Sequence, residues 1–315
     1  MGVSRAGRIL SLEPSKAPAR RRRSWQAGSV RSVLEPSRRS RISGARQLAD
    51  RDLAQVLEVL DTDPVAGCMV AARLQEYGLD NRGGGELWTR GTPADSLCFS
   101  GANLVPLRGT TDDMRAFADR AARWPRVCSS VVGRQELALP LWETLEHRWG
   151  PPREIRADQP LLALDGRAQA VPDPKVRRVR GDELERYLVA AVAMFTEEIG
   201  VDPRAGDGGR GYRRRVASLI EAGRAWARFE DGEVVYKAEV GAMSRRTGQI
   251  QGVWVHPQWR GRGLGTAGTA AVADAVVAAG RTASLYVNSY NEVARRAYAK
   301  VGFHQVATFA TVLVD

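Results

Sequence analysis

The run Arg260-Gly261-Arg262-Gly263-Leu264-Gly265 is the feature that most constrains the fold of this 315-residue chain. It follows a β-type run, residues 249–256, and opens an apolar segment with helical periodicity, residues 265–279. A glycine-rich turn at a helix start leaves backbone N–H groups without partners, and the helix dipole adds to their positive potential. The sequence therefore predicts a strand–loop–helix unit whose loop binds an anion such as a pyrophosphate.

Two nucleotide-binding motifs compete for these residues, and the rest of the sequence argues against both. Residues 263–268 satisfy G-x-G-x-x-G, the pattern of Rossmann dinucleotide sites. That fold needs an acidic residue at the end of the next strand, but residues 285–288 read Leu-Tyr-Val-Asn. It also needs further strand–helix units, and 27 residues follow Asn288. A Walker loop would need a Gly-Lys-Ser/Thr, which does not follow here.

Two sequence patterns at a fixed separation are more specific than the loop alone. The loop fits [Gln/Arg]-x-x-Gly-x-[Gly/Ala] at Arg260, Gly263 and Gly265, after the run Val253-Trp254-Val255-His256-Pro257. The second pattern runs from residues 285–288 through Asn291, Ala294, Tyr298, Gly302 and Phe303. Over residues 176–315 the chain thus resembles the GNAT superfamily of N-acetyltransferases.

The resemblance implies an acetyltransferase in which an amine attacks the thioester of acetyl-CoA directly, within a ternary complex. Acetyl-CoA is then a co-substrate. We expect no metal site, because the three histidines, His147, His256 and His304, are not at ligand spacing. The backbone N–H of Val255 would polarise the thioester carbonyl. The resemblance implies the following cofactor-binding residues: Val253, Trp254, Val255, Arg260, Gly261, Arg262, Gly263, Leu264, Gly265, Thr266, Asn288, Asn291 and Tyr298.

Tyr298 is the implied general acid that protonates the departing thiolate. It lies seven residues after Asn291, which is two helical turns, so both residues face the same side of the predicted helix. With reference pKa values near 10 for tyrosine and 8.5 for a thiol, full proton transfer is uphill by about 2 kcal/mol. The alternative is that Tyr298 is a core aromatic residue packed against Phe303.

The general base is less well defined, because the strand before the loop has Gln249 and Gln251 where many relatives place a glutamate. The candidates elsewhere are Glu239 on the neighbouring strand and Glu197 or Glu198 at the end of the first helix of the GNAT-like region. Each of the three could instead be a solvated surface carboxylate. It is also open whether a side-chain base is needed at all, because the amine could arrive neutral or lose its proton to ordered water.

The predicted fold class is α/β with a mixed sheet, arranged as two domains. Residues 47–165 form an α/β N-terminal domain, residues 166–175 a linker, and residues 176–315 the GNAT-like domain. The order of elements over residues 96–164 parallels the second half of a GNAT domain, but residues 107–111 lack the glycine pattern. A degenerate GNAT-like repeat and generic α/β packing both remain open. As a repeat, this region would build the acceptor groove or a dimer face.

The net charge of +11 is concentrated in a predicted disordered tail. Residues 1–46 contain 12 basic and 2 acidic side chains, while the other 269 residues contain 35 basic and 34 acidic ones. We therefore expect nucleic acid to be contacted, if at all, through this tail, which could also be a targeting peptide or a plain solvated extension. With no apolar run of about 18 residues and three scattered cysteines, we expect no membrane span and a cytoplasmic location.

Four functions follow from these patterns. The leading one is acetyl transfer to a primary amine of a small molecule or a protein. A non-catalytic acyl-CoA-binding regulator is the main alternative, because a strand glutamate is missing and an N-terminal half is fused to the GNAT-like region. A nucleic-acid-associated protein and a longer-chain acyltransferase are the others.

Overall fold

The computed structural model describes residues 44–79, 84–205 and 207–314. The predicted basic tail therefore lies outside the described residues, apart from its last three. The described chain has two regions, the first half, residues 44–165, and the second half, residues 176–314.

The first half alternates strands and helices after an initial helical pair. Its elements are β1 (Arg46–Gln47), α1 (Leu53–Leu60), α2 (Cys68–Tyr77), β2 (Glu86–Thr89), β3 (Leu97–Ser100), β4 (Leu104–Arg108), α3 (Thr111–Ala121), β5 (Ser130–Arg134), α4 (Gln135–Trp149) and β6 (Glu154–Leu164).

The second half has its helices at the start and the end, around a central antiparallel group of strands. Its elements are β7 (Arg177–Arg178), α5 (Leu184–Ile199), α6 (Arg210–Glu221), β8 (Ala225–Glu230), β9 (Glu233–Met243), β10 (Thr247–Val255), α7 (Leu264–Ala278), β11 (Thr282–Tyr286), α8 (Glu292–Val301) and β12 (His304–Leu313). The predicted α/β class with a mixed sheet is confirmed.

All twelve of these strands form one sheet, in the order β1-β2-β3-β4-β5-β12-β6-β11-β10-β9-β8-β7. The last strand of each half lies beside a strand of the other half. The second half's β12 pairs with β5 from Phe309↔Arg134 to Leu313↔Ser130. The first half's β6 pairs with β11 from Ala283↔Leu164 to Tyr286↔Leu161. The two halves are therefore joined by a reciprocal exchange of their final strands.

The exchanged strands also contribute to the core of the opposite half. Leu162 and Leu164 of β6 pack in the cluster that contains Tyr236 and Val276 of the second half. Ala310 and Val312 of β12 pack in the cluster that contains Phe117 and Leu141 of the first half. The predicted linker, residues 166–175, contains no helix or strand, but the sheet and the core are continuous across it.

Helices cover both faces of the sheet around β9, whose successive side chains point to opposite faces. Tyr236 packs under α7, where Gly268 allows close approach, since a Cβ there would lie 2.6 Å from the tyrosine ring. The adjacent Lys237 points the other way, with its Nζ 5.3 Å from the ring of Tyr187 on α5. Across the described ranges, no helix is long and apolar enough to span a bilayer.

Candidate active site

The site begins where β10 separates from β11. The two strands pair in parallel only from Thr247↔Thr282 to Gln249↔Ser284. Beyond that point β10 continues along β9 with a register shift between Gln251 and Trp254, at Gly252, whose φ is +57°. A bulge of this kind bends the strand away from its neighbour. The last residues of β10 therefore have one open edge.

Val255 presents its backbone groups to this open edge. It lies opposite Tyr236, and the next residue, His256, donates its N–H to the carbonyl of Val235. In an antiparallel ladder the hydrogen-bonded and non-bonded pairs alternate, so Val255 belongs to a non-bonded pair. Its N–H and C=O thus point away from β9, and its carbonyl accepts from Nε of Arg260 at 3.1 Å.

The glycine-rich loop opens α7 in the predicted way. Gly261 (φ +75°) and Gly263 (φ +80°) adopt the left-handed conformation, and a Cβ on either would meet nothing within 4 Å. The loop therefore needs glycine for its backbone conformation, and its surface is open. The first turn of α7 has no acidic side chain, which leaves its N–H groups and dipole uncompensated. These features fit an anionic group.

Arg260 and Glu197 form an ion pair across this loop. One Arg260 nitrogen, Nη2, lies 2.8 Å from each carboxylate oxygen of Glu197. Trp254 Nε1 also donates to Glu197, at 3.2 Å. The hydrogen bond from Arg260 holds the pKa of Glu197 below its usual value. The other loop arginine, Arg262, lies over the ring of Trp259, 4.9 Å from its centroid.

Asn291 and Tyr298 face the site from α8. Asn291 is the N-cap, and its side-chain oxygen accepts from the N–H of Ala294 at 3.1 Å. Tyr298 is 8% exposed and packs edge-on against Phe303, with ring centroids 6.2 Å apart. Burial raises the pKa of Tyr298, and no described residue is hydrogen-bonded to its hydroxyl. The hydroxyl is therefore a protonated donor at neutral pH.

A cleft of about 590 Å³ follows the loop to Tyr298, and we call it the loop cleft. Eleven of the thirteen predicted cofactor-binding residues line it: Val253, Trp254, Val255, Arg260, Gly261, Gly263, Leu264, Gly265, Thr266, Asn291 and Tyr298. Arg262 and Asn288 do not line the loop cleft.

A second cleft, of about 490 Å³, lies between the two halves, and we call it the shared cleft. It meets the loop cleft at residues that line both: Glu197, Val253, Trp254, Asn291 and Tyr298. The first half and the exchanged β12 line its other side with polar side chains that the sequence did not indicate: Asn103, Ser130, Arg156, Gln159 and Thr311. Most of these residues lie far along the chain from the GNAT-like motifs, so no local sequence pattern predicts that they belong to the site.

Asn288 belongs to the shared cleft, in a directed chain of hydrogen bonds. The Thr311 hydroxyl donates to Oε1 of Gln159 at 2.6 Å, and Nε2 of Gln159 donates to Oδ1 of Asn288 at 2.8 Å. Nδ2 of Asn288 then donates to the hydroxyl oxygen of Tyr290 at 2.9 Å. Gln159 is only 3% exposed, so this polar chain is built into the floor of the cleft.

The three candidate bases have different surroundings. Glu239 lines neither cleft; it is buried and accepts from Nζ of Lys237 at 2.8 Å. Burial alone would raise the pKa of Glu239, but Lys237 and Arg215 outweigh it and lower that pKa. Glu197 is paired with Arg260. Glu198 lines the shared cleft, and although it is accessible from the cleft, desolvation by the surrounding protein raises its pKa.

The first half contains a related but altered arrangement. Strands β4 and β5 also pair in parallel, at Leu104↔Val131, before they diverge. At the start of α3 the backbone N–H groups already have partners. Thr110 accepts from the N–H of Asp113, and the Asp113 carboxylate accepts from the N–H of Thr110. Asp63, between α1 and α2, forms an ion pair with Arg134 at 2.6 Å beside the small cleft there. A carboxylate at the helix start is unfavourable for a phosphate.

Two family models each match part of the chain. Residues 85–187 match a domain of unknown function (DUF4081), and residues 234–312 match the FR47-like protein family, which is of GNAT type. Comparison with the curated proteins gives no significant match.

Solved structures share the fold of the chain at low identity. A Drosophila protein is 14% identical with a TM-score of 0.61, covering 86% of this chain and 98% of its own. A GNAT-family acetyltransferase from Colwellia psychrerythraea is 11% identical with a TM-score of 0.51, covering 86% and 99%. A tandem GNAT protein from the clavulanic acid biosynthesis pathway is 15% identical with a TM-score of 0.51, covering 85% and 97%. The predicted resemblance to the GNAT superfamily is confirmed at the level of the fold.

Proposed function

We propose that this chain, which has the GNAT acetyltransferase fold, is an acetyl-CoA-dependent N-acetyltransferase that acts on a primary amine. The fold supports an acyltransferase-type function. The observation that carries the finer proposal is the junction of the loop cleft and the shared cleft at Tyr298, beside the open edge of β10. Two substrates entering from the two clefts would meet there, as direct transfer requires.

The loop cleft fits acetyl-CoA in its chemistry. The acid-free start of α7 would bind the pyrophosphate, and the open edge of β10 offers the backbone groups of Val255 to the pantetheine arm. Arg260 would bind phosphate oxygens after exchanging its partner Glu197 for them. The first half lacks this chemistry, because Asp113 already occupies the start of α3. Among the described residues we therefore expect one cofactor site.

The reaction needs three groups around the junction. The amine nitrogen attacks the thioester carbon, and the Val255 N–H stabilises the negative charge that develops on the carbonyl oxygen. Glu198, directly or through water, accepts the proton that the amine loses. The C–S bond then breaks, and Tyr298 donates a hydrogen bond to the thiolate sulfur. Because burial raises the pKa of Tyr298, we assign it hydrogen-bond donation only: Tyr298 keeps its proton, and the stabilised thiolate leaves and takes its proton from water.

The test is acetyl-CoA turnover with a panel of amines, following thiol release, for the wild type and Tyr298→Phe. We expect turnover by the wild type and a loss of about 10²-fold or more in kcat in the variant. Equal turnover by the variant would remove Tyr298 from the mechanism. A melting-temperature increase on adding acetyl-CoA, without turnover of any amine, would instead favour the non-catalytic acyl-CoA-binding alternative.

A further inference from the structure

Two side chains of opposite charge line the shared cleft without forming an ion pair with each other. Arg156 and Glu198 both line it, but their side chains form no ion pair with one another, and Arg156 contacts only the backbone carbonyl of Glu198, at 3.2 Å. Arg156 instead pairs with Glu154, which lies outside the cleft lining. Glu197 also lines the cleft, but Arg260 compensates its charge. Arg156 and Glu198 therefore both face the cleft without an ion pair between them, and Glu198 has no side-chain ion pair among the described residues.

The Arg156 guanidinium is held in place with donor capacity left. Its Nε and Nη2 donate to the two carboxylate oxygens of Glu154 at 2.9 and 3.0 Å, and the side chain is only 9% exposed. Its Nη1 has no hydrogen-bond partner among the described residues. A fixed, buried guanidinium with unused N–H groups is suited to a carboxylate.

The hydrogen-bond chain in the cleft floor supplies a second donor. Each step runs in one direction, from Thr311 through Gln159 and Asn288 to the hydroxyl oxygen of Tyr290. Because the Tyr290 oxygen already accepts from Asn288, its own O–H proton is directed elsewhere. Tyr290 lines the same cleft and is 70% exposed, so its proton can reach a ligand. This donor also favours an oxygen acceptor such as a carboxylate.

We propose that the acceptor is a small primary amine that carries a carboxylate, as a free amino acid does. Its amine lies toward Glu198 and Tyr298, and its carboxylate lies toward Arg156 and Tyr290. This proposal rests on the proposed acetyltransferase function, and it narrows the acceptor to a zwitterion. The first half then contributes to the acceptor site through Arg156 and Gln159 of β6.

Matched amines that differ only in the carboxylate provide the test. The pairs are tyrosine and tyramine, histidine and histamine, arginine and agmatine, and phenylalanine and 2-phenylethylamine. We measure kcat/KM for thiol release from acetyl-CoA with each, and with a lysine-containing peptide whose termini are blocked. Hydrogen bonds to a charged group predict that the carboxylated member of an accepted pair is favoured by about 10- to 100-fold.

Three variants locate the preference. Tyr290→Phe, at an exposed position, should raise KM for the amino acids by a larger factor than for the decarboxylated amines. Arg156→Met should abolish the preference, and Glu154→Gln, which keeps the Arg156 charge, should retain it. If Arg156→Met does not fold, the proposal is tested by Tyr290→Phe, which should weaken the preference for the carboxylated amines, and by Glu154→Gln, which should retain it.

Two outcomes separate this proposal from the function on which it rests. Equal turnover of both members of each pair, or turnover of the blocked peptide alone, would overturn the zwitterion proposal and keep the acetyltransferase. Absence of turnover with every amine, despite acetyl-CoA binding, would overturn both.

Discussion

Glu197 and Glu198 follow each other on α5, yet their surroundings give their carboxylates opposite properties. The Glu197 carboxylate is paired with Arg260 and has a lowered pKa, so it is a weak proton acceptor. Glu198 has no such partner, and desolvation raises its pKa. A carboxylate with a raised pKa is closer to the operating pH of a general base. The sequence named both residues, but only the position of Arg260 distinguishes them.

Glu198 should control the acidic side of the pH profile. A base acts in its deprotonated form, so activity falls as pH drops through its pKa, and a raised pKa places that fall above 4.5, the ordinary value for glutamate. Glu198→Gln should lower kcat by about 10²-fold and remove this acidic limb. The measurement is kcat against pH with one amine, so that the amine's own titration is common to both proteins. An unchanged limb in the variant would exclude Glu198 as the base.

Glu197 should weaken acetyl-CoA binding by competing for Arg260. Because the pair is half exposed, its contribution is at most about 1 kcal/mol, and Glu197→Gln should tighten acetyl-CoA binding by about two- to fivefold. Glu185→Gln is a matched control, since Glu185 lies on the same helix and pairs with Arg213 away from both clefts. Calorimetry of both variants checks this. Weaker binding in Glu197→Gln would mean that Glu197 positions Arg260 for the cofactor.

At the level of elements, α7 depends on a glycine that serves packing rather than the cofactor. A Cβ at Gly268 would lie 2.6 Å from the Tyr236 ring, whereas one at Gly265 would lie 3.6 Å from Val255. Gly268→Ala should therefore destabilise the protein by about 1–3 kcal/mol. Gly265→Ala, which gains helix propensity without a clash, should be neutral or stabilising by up to about 1 kcal/mol. Chemical denaturation of both variants provides the comparison, and equal stability would show that α7 can move away from β9.

The elements that the sequence predicted well are those with local signals. The loop at residues 260–265 is a short-range pattern, and β10 and α7, predicted over residues 249–256 and 265–279, lie within a few residues of those bounds. Strand β6 has no comparable local signal over its first residues, and its length, Glu154–Leu164, depends on its pairing with β12. Helix α2 and strand β2 were not predicted. Pairing between strands about 150 residues apart has no local pattern.

The lack of a local pattern for long-range pairing also explains which site residues the sequence did not predict. Most predicted cofactor-binding residues lie in one stretch around α7 and α8, and eleven of them line the loop cleft. Arg156, Gln159 and Thr311 reach the shared cleft only because β6 and β12 are exchanged between the halves. Whether β12 lies beside its own half or the other cannot be read from its alternating residues, since both arrangements bury the same face.

At the level of the whole molecule, the exchange makes each half incomplete without the other. The second half alone would lose β6 from the edge of β11, and its β12 would lose both neighbouring strands, β5 and β6. Leu162 and Leu164 would leave the cluster around Tyr236. Exposing these two buried leucines costs up to about 3–6 kcal/mol in transfer free energy, which is comparable to the net stability of a domain.

We therefore expect that residues 172–315 do not fold alone but do fold together with residues 44–171. The break falls beside Val171, which is 84% exposed, so few contacts are lost by cutting there. Co-expression should give a 1:1 complex that unfolds cooperatively and binds acetyl-CoA, while each fragment alone should aggregate or lack a cooperative transition. Size-exclusion chromatography and thermal unfolding monitored by circular dichroism measure this. A stable monomeric fragment 172–315 would show that β12 can return to its own half, and that the exchange contributes the shared cleft rather than stability.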